Sequence, residues 1–360
     1  MSVPDLGNLL FSGSVKDKDF YEEFLVTLDQ LVVNPETTKQ LLHSLLQRKK
    51  LKELSLLSYE AYEGKKDVAQ VLELATKLAN EPVEDAPDDV FVSDDIEFIV
   101  NKQFTQPGLR WRLNTLNKML GSLRPGDFGF IFARPETGKT TLLCSELTYM
   151  AEQTDGVILW FANEEDGEKV MLRIYQAAFG LSLAEVMSDL AGWKQKFKEK
   201  FGGRLKIVMR QDLMTKQGVE KLCKQFKPVL VVLDQLSKIK GFDADRTDLE
   251  LGAATTWSRE LAKIIRAAVV AVHQADGTGE GVQWLGMNHV ANAKTAMQAD
   301  ADWILGVGCQ HKPGYETIRY LHLSKNKLTG DEDTDPGLRH GRCEVVIEPH
   351  RARYKDLMFT

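Results

Sequence analysis

The sequence predicts an α/β protein, with a mainly parallel central sheet preceded by a small all-α module. Three observations carry that expectation. From Pro107 onward, short apolar runs alternate with helical patterns, the arrangement that builds a parallel sheet. At one run-to-helix junction, residues 126–141 have the wording of a phosphate-binding loop. Ahead of both, residues 1–80 carry their apolar residues at helical spacing.

In chain order, Phe20, Phe24, Leu25, Leu28 and Leu31 recur with a helical period. Asn34-Pro35 reads as a helix start, because Asn caps and the missing Pro N–H costs nothing there. Leu41, Leu42, Leu45 and Leu46 then form an apolar stripe. The trio Arg48-Lys49-Lys50 reads as a solvated helix end in preference to a DNA contact, with further helices near 51–62 and 68–78 turning at Glu63-Gly64-Lys65. Nothing in this module looks catalytic, and its apolar surface suits self-association or partner docking. Residues 81–106 read as an acidic linker. Glu81, Glu84, Asp85, Asp88, Asp89, Asp94, Asp95 and Glu97 run without a Lys or Arg among them, beside Pro82 and Pro87. A short helix is expected at 94–102, with Ile96, Ile99 and Val100 on one side, suited to packing on a neighbouring subunit. Residues 107–360 form the α/β domain. Its strands are predicted at 128–132, 157–161, 205–208, 229–233, 269–272, 303–307, 318–323 and 343–347.

Composition narrows the function. The 360 residues allow one large domain plus a smaller one, and the formal net charge of −6 excludes a histone-like basic coat. A local nucleic-acid channel remains compatible with that total. No apolar run approaches the roughly 18 residues of a membrane span, and no signal segment opens the chain, so a soluble cytoplasmic protein is expected. Cys144, Cys223, Cys309 and Cys343 stand far apart, without a zinc ribbon or a disulfide framework.

The chemistry gathers at strand ends. In the loop Arg134, Pro135, Glu136, Thr137, Gly138, Lys139, Thr140 and Thr141, backbone N–H groups and a helix dipole face a polyphosphate. Lys139, expected on a surface loop, reaches the β- and γ-phosphates, and the Thr140 hydroxyl ligates Mg²⁺. ATP and Mg²⁺ are therefore the expected cofactors, although Ala133 replaces the first Gly of the usual pattern. The run 229–233 ends in Asp234, the Walker B form, with Asp234 as a second Mg²⁺ ligand. Glu164 or Glu165, after the run 157–161, can polarise the attacking water. His273-Gln274 closes the run 269–272 and can sense the γ-phosphate.

From about 107 to 354 these motifs resemble the DnaB family of hexameric replicative DNA helicases, RecA-like and of the phage type. Leu123-Arg124-Pro125-Gly126-Asp127, Ala133-Arg134-Pro135 and Gly138-Lys139-Thr140-Thr141 are close to the family's P-loop wording, which often lacks the first Gly. The resemblance implies Glu164 as the catalytic base, from Phe161-Ala162-Asn163-Glu164, and Gln274 as the γ-phosphate sensor. Residues 291–303, with Asn292, Lys294 and Gln298-Ala299-Asp300-Ala301-Asp302, are similar to the family's DNA-contacting motif. Ser324-Lys325-Asn326-Lys327 looks like the segment that reaches the next subunit's ATP site. There Lys327 stands at the usual arginine-finger position, with Lys325 beside it as a helper. Arg353 and Tyr354 match a stretch near the nucleotide base, with Tyr354 stacking. In this superfamily two loops line the ring's hole. They correspond here to 238–248, with Lys240 and Arg246, and to 275–290, where Gly277 and Gly279 offer backbone amides to phosphate. Over residues 1–80 the match is weaker, with 50–78 only reminiscent of the family's helical hairpin.

The function implied is an ATP-dependent replicative helicase: a homohexameric ring translocating on single-stranded DNA and unwinding duplex. Primase, polymerase and loader would be separate chains, since no primase-type zinc module or polymerase acidic cluster is visible. Two rival readings are a RecA-like recombinase that pairs strands and a regulatory P-loop ATPase acting on protein partners.

Overall fold

A computed structural model describes residues 35–80, 95–97, 99–100, 108–242, 246–291 and 298–357, with side chains in the first stretch from 48 to 75. Contacts divide the chain into two units between Val92 and Ser93. In the first unit, α1 (Pro35–Tyr62) and α2 (Val68–Asn80) are joined by a turn at Gly64, whose φ is 74°. The helix expected around Phe20–Leu31 lies outside the described residues. The predicted break at Arg48-Lys49-Lys50 does not occur, and α1 runs through it for 28 residues. No Gly or Pro interrupts that stretch, and Lys and Arg are good helix formers, so charge alone does not end the helix.

In the second unit, residues 96–97 and 99–100 are helical, and Asp95 caps them by accepting from the Glu97 N–H at 2.9 Å. Beyond residue 107 come α3 (Asn114–Met119), β1 (Phe128–Ala133), α4 (Lys139–Met150), β2 (Ile158–Ala162), α5 (Gly167–Phe179), α6 (Leu183–Ser188) and α7 (Leu190–Phe201). They are followed by β3 (Leu205–Val208), α8 (Lys216–Phe226), β4 (Leu230–Asp234), α9 (Thr247–Ile265), β5 (Ala268–Gln274), β6 (Trp303–Gly308), β7 (Ile318–Asn326), β8 (Arg342–Glu348) and β9 (Arg353–Asp356). The sheet order is β3-β2-β4-β5-β1-β6-β7-β8-β9. The first six strands run parallel, and the last three are added antiparallel.

Both faces of this sheet are covered, which is why the central strands read as unbroken apolar runs. Side chains alternate between two cores. Ile131, Ala133, Leu230 and Val232 join the one formed with α4 and α5. Phe128, Phe130, Phe132, Val231 and Leu233 join the one formed with α8 and α9. Truncating Phe130, which is 1% exposed, to Ala would cost about 3–5 kcal/mol. Strand β9 carries no strand signal in its sequence, because Arg353-Tyr354-Lys355-Asp356 has one apolar body among charges. Pairing with β8, with Tyr354 opposite Ile347, makes it a strand. Among the described residues no helix is long and apolar enough to cross a membrane.

Candidate active site

The phosphate-loop motif lies between β1 and α4. Gly138 precedes the helix with φ 106°, and a Cβ there would sit 2.6 Å from the Ile347 side chain and 2.8 Å from the Tyr354 hydroxyl. Only Gly meets both demands. Glu136 also adopts a left-handed backbone, φ 61°, so the loop folds back over the helix start. Thr137 is buried, and its carbonyl accepts from Arg319 Nε at 2.6 Å. Pro135 and Glu136 are exposed, while Arg134 and Thr141 are half-buried. Lys139 is not on the surface: it is 5% exposed, and its Nζ donates to the carbonyls of Arg134 (3.3 Å) and Ala133 (3.5 Å). The cradle lies over a packed core, so the side chain is enclosed from below. Burial lowers the Lys139 pKa, and the charges of Glu164 and Asp234 oppose that.

Strands β2, β4, β5 and β1 are consecutive in the sheet, with Ala162 opposite Asp234 and Ala133 opposite Gln274. Their carboxyl ends therefore bring Glu164, Asp234, Gln274 and the Lys139 loop to one edge, where ligands sit in such sheets. Asp234 is 3% exposed, and its Oδ2 accepts from the Trp160 indole at 3.3 Å. Burial, then the Glu164 charge, pushes its carboxyl up to about 7. Thr140, 8% exposed, is the second residue of α4. No group of three or more His, Cys, Asp or Glu able to hold a metal occurs among the described residues. One carboxylate and one hydroxyl fit Mg²⁺ that shares its shell with phosphate oxygens and water. A buried carboxylate that resists ionisation alone is the kind of ligand such a cation would complete.

The two adjacent glutamates differ sharply. Glu165 is ion-paired with Arg173 of α5 at 2.6 Å. Glu164 instead accepts from two amides, Gln235 Nε2 at 2.9 Å and Gln274 Nε2 at 3.5 Å. Gln235, Trp160, Arg173 and Arg319 join the site without a sequence signal. No motif names them, and their roles depend on register between strands.

Other expected residues fare unevenly. Tyr354 cannot offer its ring to a base: it is 1% exposed, packed in the core, and its hydroxyl donates to the Gly138 carbonyl at 3.3 Å. Arg353 is spent on the end of α5, donating to the carbonyls of Ala177 (2.6 Å) and Ala178 (3.1 Å). Lys325 and Lys327 both donate to the Ala299 carbonyl, at 3.4 and 3.2 Å. Burial and the neighbouring Lys327 charge lower the Lys325 ammonium to about 8. Both stand at the far edge of the sheet, since Asn326 pairs with Trp303, Trp303 with Gly129, and Val307 with Ala133. The four residues from Gly129 to Ala133 span about 13 Å, so Lys327 is kept from its own phosphate loop.

In the loop after β4, Lys240 is exposed, and its backbone is pinned by Met214 and Lys216. Arg246 makes a two-pronged pair with Asp248, at 3.0 and 2.8 Å. Gly277 is exposed, but Gly279 is buried, 3.0 Å in Cβ terms from Leu285. The loop after β5 is laid against β6: a Cβ at Gly308 would meet the Gln283 carbonyl at 2.1 Å, and Leu285 and Val290 are buried. Asn292 and Lys294 lie outside the described residues.

A profile of the AAA domain family matches residues 101–280. The replicative DNA helicase DnaB of Buchnera aphidicola subsp. Schizaphis graminum (strain Sg) is 22% identical over 203 residues, 51% of this chain and 43% of that protein. The chain thus spans less than half the length of this curated relative. A solved ATPase domain superposes with a TM-score of 0.60 at 16% identity, covering 73% of this chain and 96% of the other. A DnaB-like replicative helicase, from a structure concerned with its interactions with primase, gives 0.59 at 15% identity, covering 93% and 83%. These folds are RecA-like helicase ATPase domains, and their likeness matches the mostly parallel sheet seen here. The chain belongs to the AAA domain family, and it is similar in sequence to a DnaB replicative helicase.

Proposed function

We propose that this chain is an ATP-driven DNA helicase subunit: a cytoplasmic, ring-forming motor that moves on single-stranded DNA and unwinds duplex. The observation that carries this reading is the convergence of Lys139, Glu164, Asp234 and Gln274 on the ends of four adjacent strands. Thr140 and Asp234 would hold Mg²⁺, which would supply charge neutralisation to the bound phosphates. The loop amides from Arg134 to Thr141 bind phosphate, and Lys139 turns from its own carbonyls toward the γ-phosphate. Glu164 accepts the proton of the attacking water, and Gln274 links that carboxylate to the sensor strand. Lys327 serves the neighbour's site, supported by its place at the opposite sheet edge.

Domain roles follow the same reading: residues 1–80 a docking module, 81–106 a linker, 107–360 the motor. Primase, polymerase or loader would be separate partners, in keeping with the primase named beside one structural neighbour. The test is ATP hydrolysis with and without single-stranded DNA, beside a strand-displacement assay, with Lys139→Ala as control. Hydrolysis stimulated by DNA and coupled to displacement is expected, with Lys139→Ala losing about a hundredfold or more. Strand pairing without displacement would favour a recombinase. Hydrolysis indifferent to DNA would favour a regulatory ATPase.

A further inference from the structure

We propose that Gln235 is a positioning residue that fixes the Glu164 carboxylate for its work as a base. The inference rests on the reading of Glu164 given above. Gln235 follows Asp234 directly and is 2% exposed, yet its φ is 62°. A left-handed conformation is unfavourable for a non-Gly residue, so surrounding structure must hold it there. What the conformation achieves is visible in the contacts. The Gln235 side-chain amide donates to Glu164 Oε2 at 2.9 Å, across from β4 to the end of β2. The backbone carbonyl of Gln235 accepts from the Lys238 N–H at 2.8 Å, which ties the same residue into the turn that follows.

The chemistry of the donor matters. An amide orients a carboxylate without neutralising it, whereas a guanidinium would hold it as an ion pair. Glu165 shows the second case, engaged by Arg173 at 2.6 Å. Glu164 shows the first, with Gln235 on one oxygen and Gln274, at 3.5 Å, on the other. The 2.9 Å contact is the shorter and comes from the buried side chain, so Gln235 is the anchor of the two. The charged groups around Glu164 include Lys139 from α4, Asp234 from β4, the Glu165–Arg173 pair, and Lys238, whose Nζ donates to the neighbouring Asn163 carbonyl at 3.2 Å. None of these replaces the amide, because Lys139 points to its own loop carbonyls.

The experiment compares Gln235→Met, which keeps length and removes the donor, with Gln235→Asn, which keeps a shortened amide and tolerates the left-handed backbone. ATP hydrolysis by the full chain is measured as kcat, KM and a pH–rate profile. Gln235→Met is expected to lose about tenfold in kcat, a fraction of what a general base contributes. Its KM should stay within about twofold, since nucleotide binding is untouched. The acid limb of kcat should move to higher pH, because a hydrogen bond to the ionised form has been removed. Gln235→Asn should fall between Met and wild type in both readouts. An unmoved acid limb with kcat within about twofold of wild type would overturn the proposal. So would an Asn variant no better than Met. If Gln235→Met fails to fold, an unmoved acid limb in Gln235→Asn alone overturns it. Glu164→Gln, run alongside, separates the two levels of the argument. Near-normal turnover there removes the base assignment itself, whereas a dead Glu164→Gln beside an unaffected Gln235→Met removes only the role of Gln235.

Discussion

Replacing Asp234 by Asn should make the nucleotide-free protein more stable at neutral pH while ending its Mg²⁺-dependent hydrolysis. The carboxyl is 3% exposed, and its pKa stands at about 7 against an ordinary 3.8. That is a rise of about three pH units, and at about 1.4 kcal/mol per unit the charged form costs up to about 4 kcal/mol. Because Glu164 is coupled to the same site, and relaxation eases the burial, about 2 kcal/mol is a fair expectation. The sign follows from proton binding. Between pH 4 and 7 the folded protein holds a proton on Asp234 that the unfolded chain has released, so wild-type stability falls as pH rises through that window. Asn carries no such proton. Its advantage should be near zero at pH 4, grow to pH 7, and stay level above it. Denaturant titrations at pH 5, 6, 7 and 8 measure this directly. The Asn variant should also gain less stability than the wild type when Mg²⁺ and ATP are added. A variant less stable than wild type at pH 8, or an advantage that shrinks as pH rises, would refute the argument from burial.

Glu164→Gln should bind ATP and hydrolyse it about 10²- to 10⁴-fold more slowly. Glu165→Gln should lose only its pair with Arg173, whose side chains are 33% and 36% exposed, a change worth at most about 1 kcal/mol of stability. If the two phenotypes trade places, the base is Glu165. Lys240→Ala should reduce the salt dependence of single-strand binding by about 0.7 in log–log slope for each phosphate the lysine neutralises. Arg246→Ala should do less, since Asp248 already engages that side chain. Equal slopes in wild type and Lys240→Ala would take Lys240 out of the DNA path. Lys327→Ala subunits should bind ATP yet silence wild-type neighbours in mixed rings, and Lys327→Arg should be tolerated. Hydrolysis that falls only in proportion to the mutant subunits added would argue against action in trans.

The elements legible in the sequence are those whose signal is local. Residues 229–233 are apolar throughout because β4 is covered on both faces, and Asp234, itself buried, ends the run at the carboxyl edge of the sheet. Residues 126–141 are legible because the phosphate-loop motif places Gly at the left-handed backbone position just before the helix and Lys beside it. Features set by contacts between distant segments are not legible. Tyr354 resembles a stacking ring from its neighbours in sequence. Only the β8–β9 hairpin carries it beneath Gly138, where the loop needs support. Lys139 reads as exposed because loops usually are, but this loop closes over a core. Gln235 reads as an ordinary polar residue until its φ and the β2–β4 register are known.

The same distinction bears on Lys327. Its sequence neighbourhood suggests a cation for phosphate, but says nothing about whose phosphate. The pairing of β7 with β6, and of β6 with β1, puts Lys327 at the amino-terminal edge of the parallel strands and Lys139 at the carboxyl-terminal edge. A lysine side chain reaches about 6 Å, against about 13 Å of strand between them. Folding within one chain therefore cannot bring the two cations to one γ-phosphate. If Lys327 acts on ATP at all, a second copy must present its phosphate-loop edge to the first copy's opposite edge. An interface between two different edges is head-to-tail, and head-to-tail contacts close into rings or run on as filaments. Ring closure is thus a separate question from trans action. Electron microscopy of the protein with an ATP analogue answers it: closed rings are expected, and open filaments would leave Lys327 in trans while favouring the recombinase reading.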